Sequence, residues 1–331
     1  MPTIIGTDEV LSLSRRIILP FITDQVYGSN AFFYRLNSGG KKRYEGGTHI
    51  EAPFMYQELT NGGAFQGYDT MDVSPQETIK NGGWDMKEYA QPITIDRRTL
   101  IRMNSSQAVA NELSVRGEQA AMQMASNLGT DLSRSEGSSG TGSDLKKITG
   151  MQAVIDAGGN TTAYAGLTRS SNTYLNAQID SSTTTLTLTA LRTAVGNCTF
   201  GAHAPTLIRS RIEQYNRYWS LCVTNQRFMV GQGETDAGLA NAGFRNLAFD
   251  GIPWIVDDKV ADGPNTSNSK IELLNENVFE LAIFAGQDFT MEDGWRKPVN
   301  QPGAMTHFLF WNGEVVCTAP QLQGALTAIA A

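Results

Sequence analysis

Cysteine is scarce in this chain of 331 residues. Cys198, Cys222 and Cys317 are odd in number and show no C-x-x-C spacing, which argues against a disulfide framework or zinc knuckle and for a reducing compartment. Positive charge is short as well: 26 Lys and Arg against 33 Asp and Glu leave a net charge of −7. The densest basic run, Lys41-Lys42-Arg43, is followed closely by Glu45. Proteins that read nucleic-acid sequence carry a basic field or tail, so sequence-specific readout is not expected. No apolar run is long enough to cross a membrane, and the first residues lack a basic stretch leading into an apolar core. Four Asn-x-Ser/Thr sequons, starting at Asn104, Asn160, Asn197 and Asn265, are chance in a chain so rich in these residues.

Catalytic signatures are also missing. The sequence has no G-x-S-x-G, H-E-x-x-H or G-x-x-x-x-G-K-[ST]. The glycine run at 137–142 imitates a phosphate loop but has no lysine in the required place. His49, His203 and His307 are scattered, and no third group completes a triad with Cys198 or Cys222.

What is present is ordinary for a globular chain: 40% hydrophobic and 18% charged residues, with 33 glycines that signal many turns. The length suits one large domain or two modest ones. Residues 7–18 read as a short amphipathic helix, with Thr7 as N-cap, Asp8 and Glu9 in the first turn and Pro20 beyond. Over 41–83, Ile50, Ala52, Phe54 and Tyr56 alternate as in a half-buried strand, and Pro53 implies an edge or bulge. Asn-Gly-Gly at 61–63 predicts a hairpin turn, and a second Asn-Gly-Gly at 81–83 closes the other leg. The result is a ribbon with legs of about 18 residues, roughly 60 Å long if unbroken. Two strands alone are marginal in water, so the ribbon needs a surface that a partner subunit would supply.

Residues 105–135 carry one apolar helical stripe, Val109, Leu113, Ala120, Met124, Leu128 and Leu132, with Ser105 or Ser106 as cap and close packing expected at Gly117. A flexible connector is expected at 137–143, weak helix at 148–156 and polar loop to about 185. A helix near 189–196 and a strand at 205–210 follow. Ser210 and Glu213 form a capping box for a helix facing inward with Ile212, Tyr215, Trp219 and Cys222. Strands are expected at 252–256, 271–274 and 278–284, and a hairpin turning at Asn312-Gly313. The class is α+β.

Asp257 and Asp258 invite a catalytic or cation-binding reading. With Asp262 they lack the alternate spacing of a calcium loop, so they read as the polar end of a strand, where they can meet basic groups of a neighbouring subunit. Asp293 before Arg296-Lys297 is a similar opposite-sign cluster that can set register between subunits. A monomeric β-rich hydrolase or carbohydrate binder using Asp257 and Asp258 is the alternative of a different class.

The fragments "WDMKEYAQPITI", "FDGIPWIVDDKVADG", "IELLNENVFEL", "WRKPVNQPGAM" and "FLFWNGEVVCTAPQLQGALTAI", and the order of short N-terminal arm, long ribbon, long helix, mixed domain and closing hairpin, resemble the major capsid proteins of tailed bacteriophages, of the Hong Kong ninety-seven type. The resemblance implies an N-terminal arm at 1–38, an extended loop at 39–83, a peripheral domain at 84–147 with return strands at 278–318, and an axial domain at 148–277 with a terminal segment at 319–331. It implies no catalysis, cofactor or metal. It implies self-assembly as pentamers and hexamers into an icosahedral shell around double-stranded DNA held without sequence-specific contact. A portal, and a separate scaffold or decoration protein, would be partners, and the location would be a virion assembled in host cytoplasm. Because the chain starts almost at the arm, a separate scaffold or none is implied. Intersubunit contacts are expected at Lys41, Lys42, Arg43, Glu45, Asn61, Tyr68, Asp257, Asp258, Asp293, Arg296 and Lys297. Lys41, Lys42 and Lys80 are available for a covalent crosslink, but none is predicted. An encapsulin-like cellular compartment would share the fold.

Overall fold

A computed structural model describes residues 31–39, 41–96, 98, 106–140, 142–225, 247–262, 268–291, 296–297 and 303–330. The helix expected at 7–18 lies outside these residues. In chain order the strands are β1 (Lys41–Tyr44), β2 (His49–Met55), β3 (Ile79–Asp85), β4 (Lys87–Asp96), β5 (Ala163–Tyr164), β6 (Leu167–Thr168), β7 (Gln178–Asp180), β8 (Leu207–Ser210), β9 (Leu247–Phe249), β10 (Ile252–Val256), β11 (Asn268–Leu274), β12 (Phe279–Phe284), β13 (Thr290–Met291), β14 (Ala304–Cys317) and β15 (Gly324–Ala330). Helices span Ala31–Gly39, Ser106–Arg134, Met151–Val154, Leu188–Asn197 and Ile212–Asn225. The class is mixed helix and sheet, as expected.

The described residues divide into two compact units. One contains those of Tyr89–Asn127 and Gly286–Trp311. Here β4 and β13 both pair with β14, with Thr290 opposite Phe310 and Met291 opposite Leu309. The long helix presents Gly117, where an added Cβ would stand 3.2 Å from the Met291 Cε. The glycine, which costs about 1 kcal/mol in a helix, leaves room for the end of that side chain.

The other unit contains the described residues of Ser29–Glu88, Leu128–Ala285 and Asn312–Ala331. Its centre is a six-stranded sheet in the order β7-β15-β11-β8-β10-β9. Ile208, Ile271, Leu273, Leu326 and Ile329 belong to one buried cluster, joined by Leu191 and Val195 of one helix and Tyr215 and Tyr218 of another. Thr187 caps the first helix, its Oγ1 accepting the Ala190 N–H at 3.1 Å. Beside this sheet β12 pairs with β1 and with the downstream part of β14.

Four local expectations need correction. Asn312-Gly313 is not a turn: β14 runs through it unbroken, and Gly313 pairs with Ile283. The residues on either side are buried in a central strand, so continuing the ladder satisfies more backbone than reversing it. Ser210 does not cap a helix, because it belongs to β8. Its hydroxyl donates to the Arg211 carbonyl at 3.0 Å and accepts the Trp254 indole N–H at 2.8 Å. On that helix Tyr218 turns inward and stacks on Trp254 with centroids 4.6 Å apart, while Trp219 is 54% exposed. Finally, 137–143 is no loose connector. It is wound into 3-10 turns at Gly137–Ser139 and Gly142–Lys146, and Gly137, with φ +59°, lies where a Cβ would fall 2.6 Å from the Thr149 Cα.

Candidate functional site

β2 and β3 pair antiparallel over seven residue pairs, from His49 opposite Asp85 to Met55 opposite Ile79. This register centres the hairpin on Gly67, whose φ is +60°. The Asp69 N–H donates to the Gln66 carbonyl at 3.2 Å, and the Gln66 N–H donates to the Asp69 carboxylate at 2.9 Å. The apex is therefore not Asn61-Gly62-Gly63, which lies in the outgoing leg. Asn61 there donates through Nδ2 to the Ser74 carbonyl at 2.7 Å. The second Asn-Gly-Gly lies inside β3, so the ladder is also shorter than the predicted legs.

Those glycines mark a close approach and not the end of a leg. A Cβ on Gly82 would stand 2.4 Å from the Phe54 ring and 2.9 Å from Ala165. The neighbouring Gly83 N–H donates to the Ala165 carbonyl at 2.9 Å, so the tight β5–β6 turn docks on β3. The aromatic rings complete this footing. Phe54 packs between Trp84 and Tyr174, at 6.0 and 6.1 Å. Tyr56 stacks on Tyr174 at 5.8 Å. Lys80 lies 4.6 Å above the Tyr56 ring and reaches the Asn172 Oδ1 at 3.0 Å.

The footing ends at Tyr56 and Thr78, joined by an N–H to carbonyl bond of 3.0 Å. Between them, residues 57–77 include no buried side chain. The legs are tied to each other, as in the Thr60–Gln76 pair at 2.9 and 3.0 Å. Leu59 (71% exposed), Phe65 (65%), Tyr68 (105%) and Val73 (92%) stand in solvent. Between Met55 and Ile79 the charged residues are Glu58, Asp69, Asp72 and Glu77, with no Lys or Arg. The Ser74 hydroxyl and N–H hold the Asp72 carboxyl below its usual range, so it stays ionised into acid solution. The projection is thus apolar and anionic at once. Among the described residues no group of three or more His, Cys, Asp and Glu is placed to hold a metal.

Asp257 is not part of such a surface. It follows β10, donates its N–H to the Ser210 carbonyl at 2.9 Å, and is 1% exposed. Its carboxylate meets Arg209 at 3.3 Å. Arg209 sits opposite Glu272 in the β8–β11 ladder and binds it at 2.5 and 2.9 Å; Lys270 approaches Glu272 at 3.1 Å. The Ser133 hydroxyl and the Phe32 ring close over Arg209, at 3.1 and 4.7 Å. Two cations thus balance two anions. Burial pushes the Asp257 carboxyl up against the pull of Arg209. Burial acts the same way on Glu272, but Arg209 and Lys270 outweigh it and hold that carboxyl down. This is a closed internal ion cluster, and the sequence reading missed three of its members. The signal was there: a charged residue in each of the apolar strands "LIRS" and "IELL".

The other expected contact residues lie apart. Lys42 meets Glu280 at 2.5 Å, and burial together with Glu280 pushes the Tyr44 hydroxyl up to about 12. Lys41 pairs through its backbone with Leu281. Arg43, Glu45, Tyr68, Asp258, Arg296 and Lys297 are exposed, and Asn61 is half-exposed. Asp293 lies outside the described residues.

No protein-family model and no curated protein sequence matches the chain. Solved structures do. A chain of the cyanophage A-1(L) capsid is 14% identical, with TM-score 0.67 over 94% of this chain and 96% of that one. A capsid chain of the native GTA particle is 12% identical, with TM-score 0.59 over 95% and 96%. The holo-SrpI encapsulin of Synechococcus elongatus is 9% identical, with TM-score 0.56 over 97% and 95%. The chain therefore has the capsid fold of tailed phages that its sequence fragments implied.

Proposed function

We propose that the chain is a major capsid protein, a structural subunit without catalytic activity. Copies assemble as pentamers and hexamers into an icosahedral shell enclosing double-stranded DNA, in a virion put together in the host cytoplasm. A portal, and a separate scaffold or decoration protein, complete the particle. In this reading 39–83 is the extended loop laid over a neighbour. Residues 84–147 and 278–318 form the peripheral domain, and 148–277 and 319–331 the axial domain.

The observation that carries the reading is the hairpin beyond Tyr56 and Thr78. It places Leu59, Phe65, Tyr68 and Val73 in water on a two-stranded element. Such an element is marginal by itself, and exposed apolar groups clustered on it signal an interaction surface. A neighbouring copy, present at the same concentration in every shell, is the partner the fold supplies. The encapsulin likeness, over 97% of this chain, supports a second reading in which the shell is a cellular compartment.

The contents of purified particles separate the two. The capsid reading expects nuclease-protected double-stranded DNA in shells isolated from producing cells. Shells that instead hold a protein cargo would establish the compartment, and protein found only as single subunits alongside its scaffold would defeat both.

A further inference from the structure

Asparagine followed by glycine is a chemically weak link, because glycine has no side chain to keep its nitrogen away from the asparagine amide. The chain has three such pairs, Asn61-Gly62, Asn81-Gly82 and Asn312-Gly313. The reaction needs only water. The glycine nitrogen attacks the asparagine Cγ and gives up its proton. The new N–Cγ bond closes a five-membered imide, the Cγ–Nδ2 bond breaks, and that nitrogen leaves as ammonia. Water then opens the imide at either carbonyl, leaving aspartate or isoaspartate, and nothing is oxidised or reduced. Geometry controls the ring closure, which requires the chain to rotate until the glycine nitrogen faces Cγ.

The fold treats the three pairs differently. Asn312-Gly313 lies inside β14, with Gly313 paired to Ile283 and Trp311, Gly313 and Glu314 all buried. Asn81-Gly82 lies inside β3, opposite Pro53 and Ala52. Gly83 turns its N–H away to the Ala165 carbonyl. Successive N–H groups of a strand point to opposite edges, so that of Gly82 points into the ladder. Asn61-Gly62 is held by no strand. Gly62 and Gly63 are exposed, and a Cβ on either would meet nothing within 4 Å. Asn61 itself is anchored on one side only. Its Nδ2 donates to the Ser74 carbonyl at 2.7 Å, while its Oδ1 is shielded without a donor among the described residues, a cost that a swing of the amide relieves.

Local sequence does not separate the first two pairs, since a second glycine follows each. Exposure of the asparagine would favour Asn81, which is exposed where Asn61 is half-exposed. Freedom of the glycine backbone favours Asn61.

We propose that Asn61 is a spontaneous deamidation site, the first of the three Asn-Gly pairs to convert while the chain stays folded. The inference goes beyond the shell reading and does not depend on it. The product alters the hairpin. A carboxylate in place of the amide removes the donor to the Ser74 carbonyl and sets an anion against that oxygen. It also joins Glu58, Asp69, Asp72 and Glu77 on a projection with no Lys or Arg. Isoaspartate further lengthens the leg by one backbone atom.

Peptide mass mapping tests it, on the full-length protein held as single subunits at mildly alkaline pH, where the attacking nitrogen gives up its proton more readily. Conversion of amide to acid shows as a small fixed mass gain, and enzymatic methylation marks isoaspartate. A pair that must first open from a ladder reacts in proportion to its open population, so the Asn81 and Asn312 peptides should convert at least about tenfold more slowly than the Asn61 peptide. In urea-unfolded chain the three rates should converge, because the shared chemistry then acts alone. Gly62→Ala should slow conversion at Asn61 severalfold and leave the thermal midpoint unchanged, since the position is exposed, uncrowded and outside the left-handed backbone region. Equal rates at Asn61 and Asn81 in folded protein, or faster conversion at Asn81 or Asn312, would overturn the proposal. So would an Asn61 that survives folded under conditions where the unfolded chain converts, or a Gly62→Ala variant that converts as fast as wild type. None of these outcomes bears on whether copies form a shell.

Discussion

In the six-stranded sheet Arg209, Glu272, Lys270 and Asp257 are buried together, each cation answered by a carboxylate. On the hairpin Phe65, Tyr68 and Val73 stand in solvent, and four carboxylates share the projection with no cation. The sheet hides what water would solvate best, and the hairpin shows what water solvates worst. Buried ions persist only where neighbours satisfy them, so the sheet is complete within one chain. Exposed apolar groups on a thin ribbon gain nothing until something covers them, which is what the proposed contact between copies would supply. Substitutions should then split cleanly: in the sheet they should damage the subunit, and at the hairpin tip only the assembly.

The largest effect on the subunit is expected from Arg209→Leu, which leaves Asp257 without its guanidinium and Glu272 with Lys270 alone. Breaking a buried pair this way costs about 3–5 kcal/mol, read as a lower urea midpoint of the dissociated protein. By contrast, Leu59→Ser, Phe65→Ser and Val73→Ser together should move that midpoint by no more than about 0.5 kcal/mol. The same triple variant should abolish shells in electron micrographs. A triple variant that unfolds the subunit would erase the distinction between the two regions.

Gly82→Ala probes the footing where hairpin meets sheet-bearing unit. Its Cβ must displace the buried Phe54 ring, at a cost of about 1–3 kcal/mol. Gly83→Ala should cost less, since the group it meets is the exposed His49 imidazole, which can swing aside. Equal costs measured by denaturation would contradict this account of the second Asn-Gly-Gly.

A pH slope, modest per pH unit, is expected as well. Glu314 is fully buried on β14. Its Oε1 accepts the Thr149 and Val315 N–H groups at 2.6 and 2.8 Å, and its Oε2 has no partner among the described residues. Burial pushes this carboxyl up to about 8. The folded chain therefore keeps a proton that the unfolded chain releases near the ordinary glutamate value. The stabilisation is complete below that value, falls as pH rises toward 8, and is gone above it, by roughly 1 kcal/mol per pH unit within the window. Glu314→Gln should flatten this part of a stability–pH curve, and an unchanged slope would show that another group sets it.

Periodicity located the long helix, the helix at Leu188–Asn197 and strands β8, β10, β11 and β12 well, because each buries a face and so repeats its apolar residues. Asn-Gly was the weak signal. The pairs at 61 and 312 read as turns and the pair at 81 as the close of a leg; the first lies within a leg and the other two lie inside strands. At 82 the glycine admits Phe54 and Ala165, and at 313 it continues a central strand. What glycine permits is decided by what packs against it, which a local reading does not contain. The hairpin was legible in outline, and its need for a partner followed from its length. Its footing on Tyr174 and Ala165 was not legible, because those contacts span about a hundred residues of sequence. Asp257 was correctly read as a strand end, but its guanidinium partner lies on another strand and is visible only in the β8–β10 pairing.

The most direct test of the account is the particle mass of the purified wild-type protein, measured by light scattering with negative-stain imaging. Closed shells, or rings of five or six subunits, are predicted. A stable monomer of 36.0 kDa at every concentration, including with a candidate scaffold protein added, would contradict the proposal that the hairpin is half of an interface between copies.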